Sequence, residues 1–171
     1  MKLSKYILFL ISVTLFMQGC FTMKYDMKGG AQIDPKIKTL SIQYFANRAL
    51  LINPSLSQKF TDDLKDYMEK NTSLRVINSV GDVDFSGEIT EYGYKSTGIA
   101  AGDVASKTRF TITVRVKYSN SIKPDDNFDT SFSRYRDFDS KTAFNSVEDQ
   151  LSGEITSEII EQIFNKAFVN W

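Results

Sequence analysis

The longest unbroken alternation in the chain covers residues 109–118, where Phe110, Ile112, Val114, Val116 and Tyr118 take turns with Arg109, Thr111, Thr113, Arg115 and Lys117. Strand side chains point to opposite faces in turn, so the first set predicts contact with a core and the second with water or a partner. A less complete alternation predicts a strand over residues 37–45, between Pro35 and Asn47, a short edge strand over 74–77 and a long strand over 83–94. In the long strand Val83, Phe85, Gly87 and Ile89 fall on one face, and Asp84, Ser86, Glu88, Thr90, Tyr92 and Tyr94 on the other. Gly87 and Gly93 suggest bulges or a bend. Small residues make 97–106 a long loop, and Pro124, Asp125, Asp126 and Asn127 place a turn in 120–127. Over 128–138, Phe132 keeps core parity, but Arg134 and Arg136 then share it. Either a bulge flips the register there or this is an edge strand whose far end leaves the core, and the edge reading is preferred.

Leu56, Phe60, Leu64, Tyr67 and Met68 recur at three- and four-residue steps and predict a helix down to about Lys70. Asn53 and Ser55 are its candidate caps, with Pro54 suited to a first helical position. A longer stripe, Val147, Leu151, Ile155, Ile159, Ile163 and Phe164, predicts a last helix opened by Ser146, with Asp149 placed for a capping box. Each helix and the sheet has one apolar side to bury. The expected fold is therefore α+β: a two-layer sandwich of two helices packed on one face of a mostly antiparallel four- to five-stranded sheet, forming a single domain over residues 35–171.

The N-terminus changes the picture. Residues 1–19 carry Lys2 and Lys5, an apolar run and then Gly19 before Cys20, the layout of a secretory signal peptide. The run is shorter than the roughly 18–20 residues a membrane-spanning helix needs. Met17-Gln18-Gly19-Cys20 resembles a bacterial lipobox, with Gln18 where a small residue is more usual. That resemblance implies cleavage before Cys20, diacylglycerol on its sulfur and an acyl chain such as palmitate on its new amine. The alternative is an ordinary signal peptide with Cys20 retained in the product. Residues 20–34, with Lys24, Asp26, Lys28, Gly29 and Gly30, read as a lipidated N-terminus and tether. They lack the acidic cluster of some surface-exported lipoproteins, so the domain is expected to face the periplasm.

Charge and chemistry narrow the function further. Setting Lys2 and Lys5 aside from the 21 basic residues leaves 19 against 21 acidic ones, without the basic excess of a nucleic-acid binder. Histidine is absent and Cys20 is the single cysteine, which removes imidazole bases and intrachain disulfides and, where Cys20 is lipidated, leaves no thiol nucleophile. Asp82 with Asp84, Asp125 with Asp126, and Asp137 with Asp139 lack the spacing of a calcium loop, and no metal or cofactor is expected. The Asp26 to Gly30 stretch is too short for a phosphate-cradling loop. No enzyme is expected. Lys107, Arg109, Arg115 and Lys117 are the candidate binding set, because guanidinium matches phosphate in bidentate geometry. Against this stands cross-strand pairing with Asp84 and Glu88. Tyr92 and Tyr94, assigned to the same polar face, are candidate partner contacts or half-buried tyrosines.

In order and spacing the chain resembles the LptE family of lipopolysaccharide-assembly lipoproteins, in its Bacteroidota form. The resemblance rests on Cys20, Lys38-Thr39-Leu40-Ser41-Ile42 with Asn47, Leu56-Ser57-Gln58-Lys59-Phe60-Thr61 and Phe85-Ser86-Gly87-Glu88-Ile89-Thr90. It continues through residues 109–118 and Ile163-Phe164-Asn165 to Asn170-Trp171. It implies two helices on a mostly four-stranded sheet, an outer-membrane location and a role as plug and assembly partner of the LptD barrel. It also implies contact with lipopolysaccharide through basic residues. A structural or trafficking outer-membrane lipoprotein and a periplasmic hydrolase built on carboxylates stay open beside it.

Overall fold

The computed structural model describes residues 33–51, 53–97 and 107–169. Strands β1 (Thr39–Ile42) and β2 (Ala46–Asn47) lead into helix α1 (Leu56–Asn71), followed by β3 (Arg75–Val76), β4 (Val83–Ser96), β5 (Lys107–Asn120), β6 (Phe128–Asp139) and helix α2 (Glu148–Phe168). The six strands form one sheet in the order β3-β1-β4-β5-β6, with β2 beside β4 just beyond β1. The α+β architecture with two helices is as expected. The sheet is mixed rather than mostly antiparallel: β1 runs parallel to β3 and β4, and β2 parallel to β4, while β4, β5 and β6 form an antiparallel meander. The reason is topological. A helix between two neighbouring strands returns the chain in the same direction, whereas a hairpin-type connection without a crossover reverses it.

The single strand expected over 37–45 is two short pieces, because four chain steps separate Ile42 from Ala46 while their partners on β4, Phe85 and Glu88, are three apart. The extra length lets Phe45 turn into the core. Its ring packs on Phe60 at 5.3 Å, and its N–H donates to Thr61 Oγ1 at 3.1 Å. Gly87 makes room for that ring, since a Cβ there would lie 2.6 Å from Phe45 Cε1 and would also meet the Arg115 carbonyl.

Between β3 and β4 the chain crosses the backbone of β1 on the face away from the helices. A Cβ on Gly81 would lie 3.0 Å from backbone atoms of Thr39, Leu40 and Ser41. The crossing is clipped by Asp82, whose Oδ2 accepts the N–H groups of Lys38 and Thr39 at 2.8 and 2.9 Å. Those bonds favour the carboxylate and hold Asp82 below its usual pKa. Ser41, which bonds Asp84, is buried beneath this strap. The Asp82–Asp84 pair thus belongs to a chain crossing.

The core lies between helices and sheet. Leu56, Phe60, Leu64 and Met68 of α1 and Ile155, Ile159, Ile163 and Phe168 of α2 meet Leu40, Phe85, Ile89, Phe110, Ile112, Val114 and Val116. Both stripes read from the sequence are the buried ones. Ser55 occupies the N-cap position of α1 as expected, without a side-chain cap bond, whereas Val147 rather than Ser146 precedes α2, and Ser146 bonds Ala143 O instead. Acidic Glu148 and Asp149 in the first turn of α2 suit its helix dipole.

Candidate functional site

Among the described residues no helix covers the other face of the sheet, and on it β5 presents the predicted polar set. Directly opposite residues share a face in an antiparallel pair, so three rows can be read across it. Lys95, Arg109 and Asp137 form one row, Gly93, Thr111 and Tyr135 the next, and Glu88, Arg115 and Ser131 a third. Lys107 lies opposite Asp139, and Lys117 opposite both Ser86 and Asp129.

The four basic residues do not form one cluster. Arg109 and Arg115 are six residues apart, about 20 Å along the strand, with Thr111 and Thr113 between them. Each guanidinium grips a β6 carboxylate with two nitrogens. Arg109 Nε and Nη2 donate to Asp137 at 2.8 and 2.9 Å, and Arg115 Nε and Nη2 donate to Asp129 at 2.8 and 2.9 Å. Ion pairing across the sheet is thus present, on the opposite side from the expected Asp84 and Glu88. These bonds hold both aspartates below the usual carboxylate range and raise the two arginines. Arg109 also stacks 3.7 Å over the Tyr135 ring. Along this face the cations Lys95, Lys107, Arg109, Arg115 and Lys117 meet the carboxylates Asp84, Glu88, Glu91, Asp129, Asp137 and Asp139. With five cations to six carboxylates it is a nearly charge-balanced surface with two bidentate pairs, and Lys107 and Lys117 have no ion-pair partner among the described residues.

Tyr92 and Tyr94 sit on the opposite face from the one expected. The register shifts between Ile89 and Glu91, leaving Thr90 as the extra residue, so Tyr92 lies opposite Ile112 and Tyr94 opposite Phe110, on the helix side. Tyr92 is 4% exposed and Tyr94 50%. The bulge lies at neither Gly87 nor Gly93. Its signal in the sequence is the switch of apolar parity from positions 85 and 89 to positions 92 and 94. The Tyr92 hydroxyl donates to Glu148 Oε1, which also accepts Asn53 Nδ2 at 2.9 Å, and Asn53 Nδ2 lies 3.2 Å from that hydroxyl. Burial, aided by Glu148, pushes the Tyr92 pKa up to about 12. This network ties the segment before α1 to the first turn of α2, a structural role that pattern reading missed.

The same bulge brings Glu91, Gly93 and Lys95 onto the open face. Glu91 accepts a bond from Thr113 at 2.9 Å. With Leu50, Leu51 and Thr111 these three residues border a shallow recess of about 290 Å³. Cys20 and residues 98–106 lie outside the described residues. Among the described residues no three His, Cys, Asp or Glu gather in metal-binding geometry, and no helix is long and apolar enough to cross a membrane.

The sequence model of a family described as "LptE: Lipopolysaccharide-assembly" matches residues 37–167. No curated protein matches the chain. Solved structures share its fold at low identity. A minor lipoprotein from Acinetobacter baumannii is 14% identical with a TM-score of 0.50, over 77% of this chain and 92% of that one. The hypothetical protein CT253 from Chlamydia trachomatis is 10% identical with a TM-score of 0.53, over 78% and 99%. Protein XCC0632 from Xanthomonas campestris is 14% identical with a TM-score of 0.52, over 81% and 88%.

Proposed function

We infer that this chain, which belongs to the LptE family, is an outer-membrane lipoprotein anchored through Cys20 that acts as plug and assembly partner of an LptD-like β-barrel. The family match over residues 37–167 carries this reading. The domain itself works without catalysis: it presents a rigid, hydrogen-bonded polar face to a partner. A barrel wide enough to hold a plug has a polar lumen. The open face, with nearly balanced charges on three adjacent strands, suits such a wall better than lipid. Lipopolysaccharide contact belongs to the same reading through Lys107, Arg109, Arg115 and Lys117, with the two free lysines as first contacts for a phosphate. Arg109 and Arg115 would have to exchange Asp137 and Asp129 for it.

That last point favours a second reading, a structural or trafficking outer-membrane lipoprotein that binds no lipopolysaccharide, because both guanidiniums are already satisfied. Two measurements separate the readings. Depleting the protein should lower the amount of assembled barrel and of surface lipopolysaccharide. Normal levels of both in depleted cells would sink the plug reading. Replacing all four basic residues by Ser should weaken lipopolysaccharide binding at matched ionic strength while the fold persists. Undiminished binding would leave the structural reading standing.

A further inference from the structure

β6 ends the sheet, and among the described residues nothing pairs with its outer edge, twelve residues long. Such an edge is a template for another strand, and folded proteins blunt theirs by shortness, bulges, proline or lysine. The other edges of this sheet are blunted. β3 has two residues, and the part of β4 beyond β2 carries the bulge at Thr90 and Lys95. β6 has none of these devices: its ladder with β5 runs from Phe128 to Asp139 without a register shift, and it contains no proline and no lysine. Nor do its charges guard the edge. Asp129 and Asp137 are drawn back to Arg115 and Arg109 of β5, and Arg134 and Arg136 to glutamates of α2. Between them Thr130, Ser131 and Ser133 are short and neutral.

The ladder also tells which backbone groups this edge offers. Thr97 N–H donates to the Lys107 carbonyl, so the odd-numbered residues of β5 bond β4 and the even-numbered ones bond β6. Their partners on β6 are even-numbered too, which turns the N–H and C=O groups of Asp129, Ser131, Ser133, Tyr135 and Asp137 outward. An occupant must bring a matching row of backbone groups. Lipid has none, and a closed barrel has all of its strands paired and no free edge to give. A second copy of β6, running the other way, brings the same row.

We propose that, away from any barrel, two copies of this chain pair antiparallel through β6 about a two-fold axis at Phe132. In this register Ser131 lies opposite the partner's Ser133, and Asp129 opposite the partner's Tyr135, as hydrogen-bonded pairs. Phe132 meets the partner's Phe132, and Thr130 the partner's Arg134, in the closer pairs between them, where an aromatic pair is favourable. Charge selects this alignment, because it sets no like charges directly opposite. Sliding the copies by two residues one way puts Asp129 against the partner's Asp137, and by four puts Arg134 against the partner's Arg134, both destabilising. Sliding them the other way shortens the ladder. The pair is closed, since the outer edges of the joined sheet are the two β3 strands, too short to add further copies. Both open faces stay uncovered, so the pairing goes beyond the plug reading and uses a different surface.

The test uses the full-length chain purified in detergent, with sedimentation read as protein mass. The mass should double as concentration rises. Ser131→Pro and Ser133→Pro each remove an outward N–H that β5 does not use, so they should hold the mass at one chain while thermal melting shows the fold retained. A mass of one chain at every concentration, a mass beyond two chains, or doubling that survives in the folded proline variants overturns the proposal. In a separate experiment Ser131→Cys chains and Ser133→Cys chains are mixed, mildly oxidised and read by peptide mass. The two kinds should link to each other more than either links to itself, because only the mixed pair is directly opposite, at about 5.5 Å between Cα atoms. Equal linking, or none, also overturns it. Neither readout involves the barrel or lipopolysaccharide, so a failure here leaves the proposed function standing.

Discussion

On the helix side of β5, Phe110, Ile112, Val114 and Val116 are fully buried, while one residue away on the same strand Arg109 and Arg115 stand in partial contact with water, each holding an aspartate of β6. The first face is held by the removal of apolar surface from water, worth about 25 cal/mol per Å² and needing little direction. The second is held by directed bonds between charges that water screens, so each contributes little to stability while fixing where its groups point. What differs between the faces is therefore the kind of information they carry. One specifies that the domain folds, and the other specifies what a partner meets. β6 shows the boundary between them: it turns Arg134 and Arg136 to the helix side between Phe132 and Phe138, at the rim of the apolar layer. There Arg136 bridges Glu154, at 3.0 Å, and Glu158 of α2.

The largest test of this contrast is Ile159→Asp or Ile155→Asp. A carboxylate without a partner in the helix–sheet layer should cost roughly 3–5 kcal/mol, a large share of a domain's stability. Thermal melting checks it, and an unchanged midpoint in both variants would mean that α2 does not bury this stripe. Gly87→Ala comes next, because its methyl collides with the Arg115 carbonyl and the Phe45 ring, and overpacking of this kind costs about 1–3 kcal/mol. A neutral result in denaturant unfolding would show that the β5 backbone at Arg115 and the Phe45 ring can both move aside.

Tyr92→Phe is expected to cost about 1–2 kcal/mol, since Glu148 and Asn53 lose a partner. It also has a pH signature. The folded Tyr92 titrates near 12 and Tyr118 likewise, above the unfolded value near 10. Their stability is fully present below about pH 10 and is lost as pH rises through about 12. The variant should unfold less steeply in that window, and an identical alkaline limb would remove Tyr92 from the network.

The smallest effects belong to the ion pairs, and their order is informative. Arg136→Ala takes the bridge from Glu154 and leaves Glu158 with Arg134 alone, at 3.7 Å, and should lower the melting temperature more than Arg109→Ala or Arg115→Ala. The carboxyls of Asp129, Asp137 and Glu158 are held below their usual range by Arg115, Arg109 and Arg136. The unfolded chain binds more protons there, so this stability is present above about pH 4 and is lost as pH falls through the lowered folded values. High salt, with a Debye length of about 3 Å at 1 M, should flatten that acid dependence without moving the effect of Ile159→Asp. If salt moves both alike, the division between the faces fails.

Periodicity alone determined a great deal here. The strands over residues 83–94 and 109–118, both helical stripes and the edge position of the strand after Asn127 follow from where apolar side chains recur, because burial is a local demand that each residue carries with it. The polar identity of Arg109, Arg115 and Lys117 was legible for the same reason. Only the tertiary structure decided the rest. That β1 runs parallel to β4 depends on where α1 returns the chain. The single extra residue at Thr90 moved Tyr92 from the wet face to the buried one, since the side-chain period is two and one insertion inverts everything after it. The partners of the arginines depended on strand order: Asp84 and Glu88 of β4 flank β5 as closely as Asp129 and Asp137 of β6, and which neighbour a guanidinium reaches is set by cross-strand geometry that no count along the chain contains.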